Sequence, residues 1–380
     1  MVGGFHKNRI HLDNEYEYPH WNERSGQDAE TLSEHLKALV DTYADLPMPL
    51  LRAHAFDYLL ANAQIEINPY NIFADKLNLG IRYEDSAGQE RFFDDDTEKG
   101  VRHEKSASKD ILTANLYMRF NKEVQEREIP DEYRCNMQAE RLGIGTAWAD
   151  YWHTLPDWSE ILRLGFPGLL KRAEDSKAER SSAGALSPEQ EIYYDAVIIC
   201  YRALLRFIRR LHEESLRYDI PQYSACLRHL MHRAPETMYH VLETSYLFIT
   251  FMEIGVENGR SLGIIDHLYY PYFRADLESG RYTVEDVKEM FRYFFNKFNA
   301  ARRFAAQPLA LRGTTPDGTG ARNELTFLIL DVYGELGHLN PKIQLRYHAG
   351  LSDELIKKVS WLIREGQSSI VIINDEAVYR

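Results

Sequence analysis

Residues 308–313 read PLALRG, residues 343–348 read IQLRYH and residues 368–373 read SSIVII. Each is a short apolar run of the kind that forms a buried strand. Between the first two lies ARNELTFLILDVYGELG (321–337), which reads as a helix. Between the second and third, Ser352-Asp353-Glu354 caps LIKKVSWLIREG, and Gly366 stops it. The order strand, helix, strand, helix, strand predicts an α/β fold whose sheet is parallel and whose helices are the crossovers.

Parallel α/β structures collect ligands at the carboxyl ends of their strands. The three strand ends carry Thr314, Thr315 and Asp317, then His348, then Asn374, Asp375 and Glu376. All are expected on one rim. Thr315, His348, Asn374 and Asp375 are the candidates for lining a substrate cavity there, with strand-end caps or buried hydrogen bonds as the competing reading. The third run is followed by only seven residues, so an apolar strand is expected at an open edge. Parallel sheets are normally covered, and a partner chain or further polypeptide is expected to complete this one.

Upstream, residues 1–307 read as mainly helical, within a single domain covering 1–380. Leu32, Leu36, Leu39, Val40 and Tyr43 mark one helix face, and a second helix runs from Pro49 towards Ile65. Ser187-Pro188-Glu189-Gln190 is a capping box opening a long amphipathic helix through Leu211. ETMYHVLETSYLFITFMEIG, after Pro235, is apolar on nearly all sides and is expected to be buried all round. Thr283 caps another helix carrying Phe291, Phe294, Phe295 and Phe298. In RSLGIIDHLYYPYFRADLESG (260–280), Tyr269, Tyr270, Tyr272 and Phe273 are expected to pack under neighbouring helices, with Asp266 and the hydroxyls finding hydrogen-bond partners.

A net charge of −13 argues against binding the nucleic-acid backbone. Arg202, Arg206, Arg209 and Arg210, at helical spacing beside Glu213 and Glu214, read as a solvated helix face. Cys135, Cys200 and Cys226 are odd in number and far apart, which fits a reducing cytoplasm. The longest apolar stretch, 246–256, is too short to cross a bilayer. Residues 80–108 read as a polar surface excursion, and Asp94, Asp95 and Asp96 lack calcium-loop spacing. His229 and His232 share a predicted helix face without a carboxylate between them, so no metal site is expected. Gly143-Ile144-Gly145 lacks the third glycine of a dinucleotide loop, and no phosphate loop or nucleophile elbow is present.

The 260–280 stretch resembles a segment of the glycyl radical enzymes, the pyruvate formate-lyase family, which runs SLGR-x-DQYLYP-(F/Y)-(Y)-x-x-DLE-x-G. The resemblance continues in order through YFFNKFNA, GTTPDGTGARNELTFLILD, HLNPKIQLRYHAGLSDELIKK and IVIINDEAV, and upstream HRAPETMYHVLE resembles a P-x-TF-x-EAL pattern. It implies a helix-rich front followed by the first half of a ten-stranded α/β barrel. It implies radical chemistry without an organic cofactor. A radical-SAM activating enzyme installs a glycyl radical near the family's C-terminus, and a cysteine passes it to a small substrate as a thiyl radical. Both radical residues follow the segment matching NDE. None of Cys135, Cys200 or Cys226 takes the thiyl position, so this chain alone is expected to be inactive in radical chemistry, with no cofactor bound.

The resemblance therefore implies the N-terminal portion of a radical lyase or dehydratase of anaerobic metabolism, forming one side of the substrate cavity. Its partners would be the missing C-terminal half or a complementary chain, the activating enzyme and a small-molecule substrate, with homodimerisation open. The alternative is a non-catalytic remnant or scaffold subunit. Departures from the family pattern are Ile264 for the usual arginine, His267 for glutamine, and Arg312 where a glycine is common.

Overall fold

The computed structural model describes residues 4–13, 15, 29–43, 45–78, 130–144, 155–254, 261–300, 308–312, 323–348 and 350–378. The chain opens with helices α1 (Gly4–Asp13), α2 (Ala29–Thr42) and α3 (Met48–Asn62). Leu32 and Leu36 are buried on α2, as their spacing predicts, while Tyr43 lies past its end and is exposed.

Helix α3 stops at Asn62 rather than continuing towards Ile65. Ala63 leaves the helix at ψ 145°, and the Arg210 guanidinium donates to the carbonyls of Leu60 and Ala63. Those helix-end acceptors would otherwise have no partner. The chain then forms β1 (Gln64–Ile67), antiparallel to β2 (Asp75–Asn78), with Gln64 opposite Asn78. This small sheet departs from the helical expectation. QIEI is too short to carry its own signal, and its partner strand supplies the missing backbone hydrogen bonds.

Next come α4 (Pro130–Arg141), α5 (Trp158–Ser182) and α6 (Pro188–Ser215). The predicted capping box forms: Ser187 Oγ accepts from Gln190 N, and Gln190 Oε1 accepts from Ser187 N. Ala203, Phe207 and Leu211 are buried along α6, which packs on α3 and α5. The basic residues of α6 need a correction. Arg202 and Arg206 are exposed but ion-paired to Glu174 and Asp57, and Arg210 is half-buried in the α3 cap. The face is solvated, yet it also clamps α6 to its neighbours.

The core follows in α7 (Pro221–Leu230), α8 (Met238–Ile254), α9 (Ile265–Leu268), α10 (Tyr270–Glu278) and α11 (Val284–Ala300). Asp276, fully buried on α10, accepts the Met238 N–H at 2.7 Å and so caps α8 from another element. Tyr269 and Phe273 are buried as expected, and the Tyr269 hydroxyl donates to Ser245 Oγ at 2.8 Å. Phe291, Phe294, Phe295 and Phe298 line α11 with exposures of 1% or less. Each such side chain contributes about 1.5–3 kcal/mol on burial. Phe294–Phe298 and Phe295–Tyr333 meet edge to face.

The last part forms β3 (Leu309–Leu311), α12 (Glu324–Leu336), β4 (Ile343–Tyr347), α13 (Asp353–Arg364), β5 (Ile370–Asn374) and the single turn α14 (Asp375–Val378). The strands pair in parallel in the order β3-β4-β5, as expected. Leu309, Leu311, Ile343 and Leu345 are buried. Beyond β3 the layer gains a bridge that the sequence did not announce: Ile264 pairs with Ala310, and Leu262 N and Ala310 N donate to Pro308 O and Gly263 O. Gly263 is required there, because it sits at φ 76° and a Cβ would lie 2.9 Å from both Leu268 and Trp158. At the other side β5 has no strand partner among the described residues, and Val371 and Ile372 are 45% and 54% exposed. The open apolar edge is present.

Candidate functional site

Parallel pairing puts the ends of β3, β4 and β5 on one rim. Arg312 leaves β3 at φ 68°, a left-handed conformation that favours glycine. Asp266, 2% exposed, accepts the Arg312 N–H in both carboxylate oxygens and the Thr326 hydroxyl at 2.7 Å. Burial raises the Asp266 pKa above the ordinary carboxylate range, with these hydrogen bonds opposing the shift. Asn323 Nδ2 donates to the Asp266 carbonyl and Asn323 Oδ1 caps α12, so one buried carboxylate gathers α9, the end of β3 and the start of α12.

Of the four predicted site residues, Thr315 lies outside the described residues, as do Thr314 and Asp317. The other three occupy the rim in different ways. Asn374 is exposed, and its Oδ1 accepts from Glu376 N at 3.0 Å and Ala377 N at 3.4 Å, capping α14. His348 is 4% exposed and Asp375 3% exposed. The last registered pair of β4 and β5 is Tyr347 with Asn374. His348 follows the end of β4, and Asp375 follows the end of β5 as the first residue of α14.

Arg346 binds Asp375 across the strands, Nε to Oδ1 at 3.0 Å. The Gly350 N–H donates to His348 Nδ1 at 3.1 Å. The proton of the neutral ring therefore sits on Nε2. Both His348 Nε2 and Asp375 Oδ2 are buried and make no hydrogen bond to any protein atom. Buried polar atoms are nearly always paired, so these two atoms stand out among the described residues. Arg346 was absent from the sequence reading, although strand alternation places it two residues before His348 and could have flagged it.

His229 and His232 do not share a helix face. Helix α7 ends at Leu230, and the His229 ring stacks on His240 at 4.1 Å while its Nε2–H donates to the Ala234 carbonyl. Burial lowers the His240 pKa to about 4, with His229 and Arg281 acting in the same direction. The described residues hold no cluster of three metal-ligating side chains and no helix long and apolar enough to cross a membrane.

The profile of the family described as Pyruvate formate lyase-like matches residues 8–380. The (2S)-3-sulfopropanediol dehydratase of Klebsiella oxytoca is 25% identical over 250 residues, covering 59% of this chain and 30% of that enzyme. A crystal structure of a glycyl radical enzyme from Archaeoglobus fulgidus superposes with a TM-score of 0.72 at 19% identity, covering 97% of this chain and 51% of its own. Hydroxyproline dehydratase from Clostridioides difficile, with trans-4-hydroxy-L-proline bound, superposes with a TM-score of 0.73 at 18% identity, covering 99% and 52%. The likeness shows the fold, a helix-rich front leading into part of the glycyl radical enzyme barrel. The chain spans 30% of the curated relative and about half of each solved neighbour.

Proposed function

Because this chain belongs to the pyruvate formate lyase-like family, we propose that it forms the N-terminal part of a glycyl radical lyase or dehydratase acting on a small metabolite in an anaerobic cytoplasm. Residues 1–380 would act as one domain, walling one side of a substrate cavity, with His348, Asp375, Asn374 and Thr315 among the polar groups of its rim. The thiyl cysteine and radical glycine would come from polypeptide completing the barrel, and a radical-SAM enzyme would install the radical. The division is chemically sound: a radical breaks an unactivated bond, while positioned acid and base groups direct the outcome.

The observation carrying this reading is the outer edge of β5, which no strand covers among the described residues and where Val371 and Ile372 are left exposed. Such an edge is a ready template for another strand. The test is anaerobic co-expression with polypeptide bearing the cysteine and glycine loops and with an activating enzyme. A stable complex with an organic-radical EPR signal, absent from the chain alone, is expected. A complex without the signal points instead to a scaffold. Turnover by the chain alone in air defeats the proposal.

A further inference from the structure

We infer that residues 4–15 form a strap that opens as a unit while α8 and α11 stay folded, and that closing it locks the carboxyl end of α12 onto α11.

The strap is held at three places, all distant in sequence. At its front, Phe5 is fully buried and its N–H donates to Glu289 Oε1 on α11 at 2.7 Å. In its middle, Asn8 Nδ2 donates to the Tyr70 carbonyl at 3.2 Å, and the His11 ring stacks on Tyr70 at 4.0 Å. At its rear, Glu15 is buried, accepts Asn71 Nδ2 at 2.9 Å and pairs with Lys297 Nζ of α11 at 3.4 Å. Tyr70 and Asn71 belong to the turn between β1 and β2.

Little else of the strap is buried. Leu12 is enclosed, while His6, Lys7, Arg9, Ile10 and His11 are exposed. A ten-residue helix is too short to persist by itself in water. Two buried apolar side chains do not offset the ordering of the whole segment. The polar clasps therefore decide whether the strap is closed.

The clasp residues on α11 are equipped to survive its release. Glu289 also accepts from Arg292, through Oε2 at 3.0 Å. Lys297 also donates to the Phe73 carbonyl and lies 4.8 Å from the centre of the Tyr246 ring. Each buried charge on α11 keeps a partner when the strap leaves, and Glu15 passes into water. Opening does not strand an uncompensated buried charge, the outcome that would forbid it.

The link to α12 is direct. Arg292 joins Glu289 to Glu335, in the last turn of α12, through two bonds of 2.9 and 3.0 Å. His6 Nε2 of the strap lies 3.0 Å from Glu335 Oε1. Opening removes the His6 contact and the Phe5 bond that steadies Glu289, so it loosens the end of the helix that leads to β4.

The test is hydrogen exchange on the full chain. Amides of residues 8–13 should exchange faster than the slowest amides of α8 and depend less on denaturant, the mark of a local opening. Gly165→Ala, in the remote kink of α5, should speed α8 and leave residues 8–13 unchanged; the denaturant comparison needs no variant. Glu15→Gln keeps an acceptor for Asn71 but removes the charge facing Lys297, and should speed residues 8–13 about tenfold. Phe5→Ala should speed them at least about tenfold and also speed Glu335 and Leu336. Strap amides that follow α8 in denaturant and in Gly165→Ala would make residues 4–15 ordinary core and overturn the inference. A Phe5→Ala chain whose α12 amides do not move overturns the lock. Protection of residues 8–13 that grows with chain concentration would place the strap on a second copy, and overturns it as well.

Discussion

Asp266 accepts the Arg312 backbone N–H with both carboxylate oxygens, each at 3.1 Å, across 46 residues of sequence. It also takes the Thr326 hydroxyl while buried. Asp266→Leu would strip two buried donors and should cost about 3 kcal/mol. Asp266→Asn can still accept from Arg312 and can donate to Thr326, so it should cost within about 1 kcal/mol. Burial raises the folded-state pKa. The stability this carboxyl contributes is therefore fully present below its unfolded pKa and lost as pH rises through the folded value. The asparagine variant should compare better with wild type at pH 7 than at pH 4. Denaturant melts at both values check this.

Gly165 stands at φ 61° in the kink of α5, and a Cβ there would lie 2.7 Å from Ala234 Cα. Gly165→Ala combines left-handed strain with a backbone clash and should cost about 3 kcal/mol or more. Gly184 has nearly the same φ, 64°, with open space around it. Gly184→Ala carries only the conformational cost, about 1 kcal/mol. Equal losses in thermal or chemical melts would contradict the packing argument.

Burial holds His338 down to a pKa of about 4, and its Nε2 pairs with Asn296 Oδ1 at 2.9 Å. The unfolded imidazole titrates near 6.5. Because the folded pKa is the lower one, the unfolded state binds the extra proton first as pH falls. Stability contributed by neutral His338 is present above pH 6.5 and lost on the way to pH 4, by about 3 kcal/mol in full. His338→Gln should remove most of that slope in melts run between those limits. An unchanged slope would assign it to other groups.

Ile372 is 54% exposed on β5, the edge strand of the parallel sheet among the described residues. Ile372→Lys should leave the chain's own stability within about 0.5 kcal/mol, since it removes little buried contact. A charge on an edge strand opposes further pairing. Sedimentation should therefore show loss of association with a complementary half and less self-association. A large drop in the melting midpoint would mean that Ile372 is covered in solution.

The parallel layer was readable along the chain because each of its elements carries its own signal. The runs at 309–311, 343–347 and 370–374 are apolar, Ser352 and Asn323 cap the following helices, and Gly337 and Gly366 end them. Those are nearest-neighbour properties, set by backbone sterics and local hydrogen bonds. Other features depended on groups distant in sequence. Helix α3 ends where Arg210, 147 residues away from Ala63, takes its carbonyls. The two-stranded sheet and the Ile264–Ala310 bridge exist only once their partners arrive. His348 and Asn374 could be named as strand-end residues, but not that one would keep a spare N–H while the other capped a turn. A side chain's unused hydrogen-bonding capacity is what remains after every neighbour has been satisfied. Local sequence supplies the donors and acceptors; packing in three dimensions decides which of them are left over.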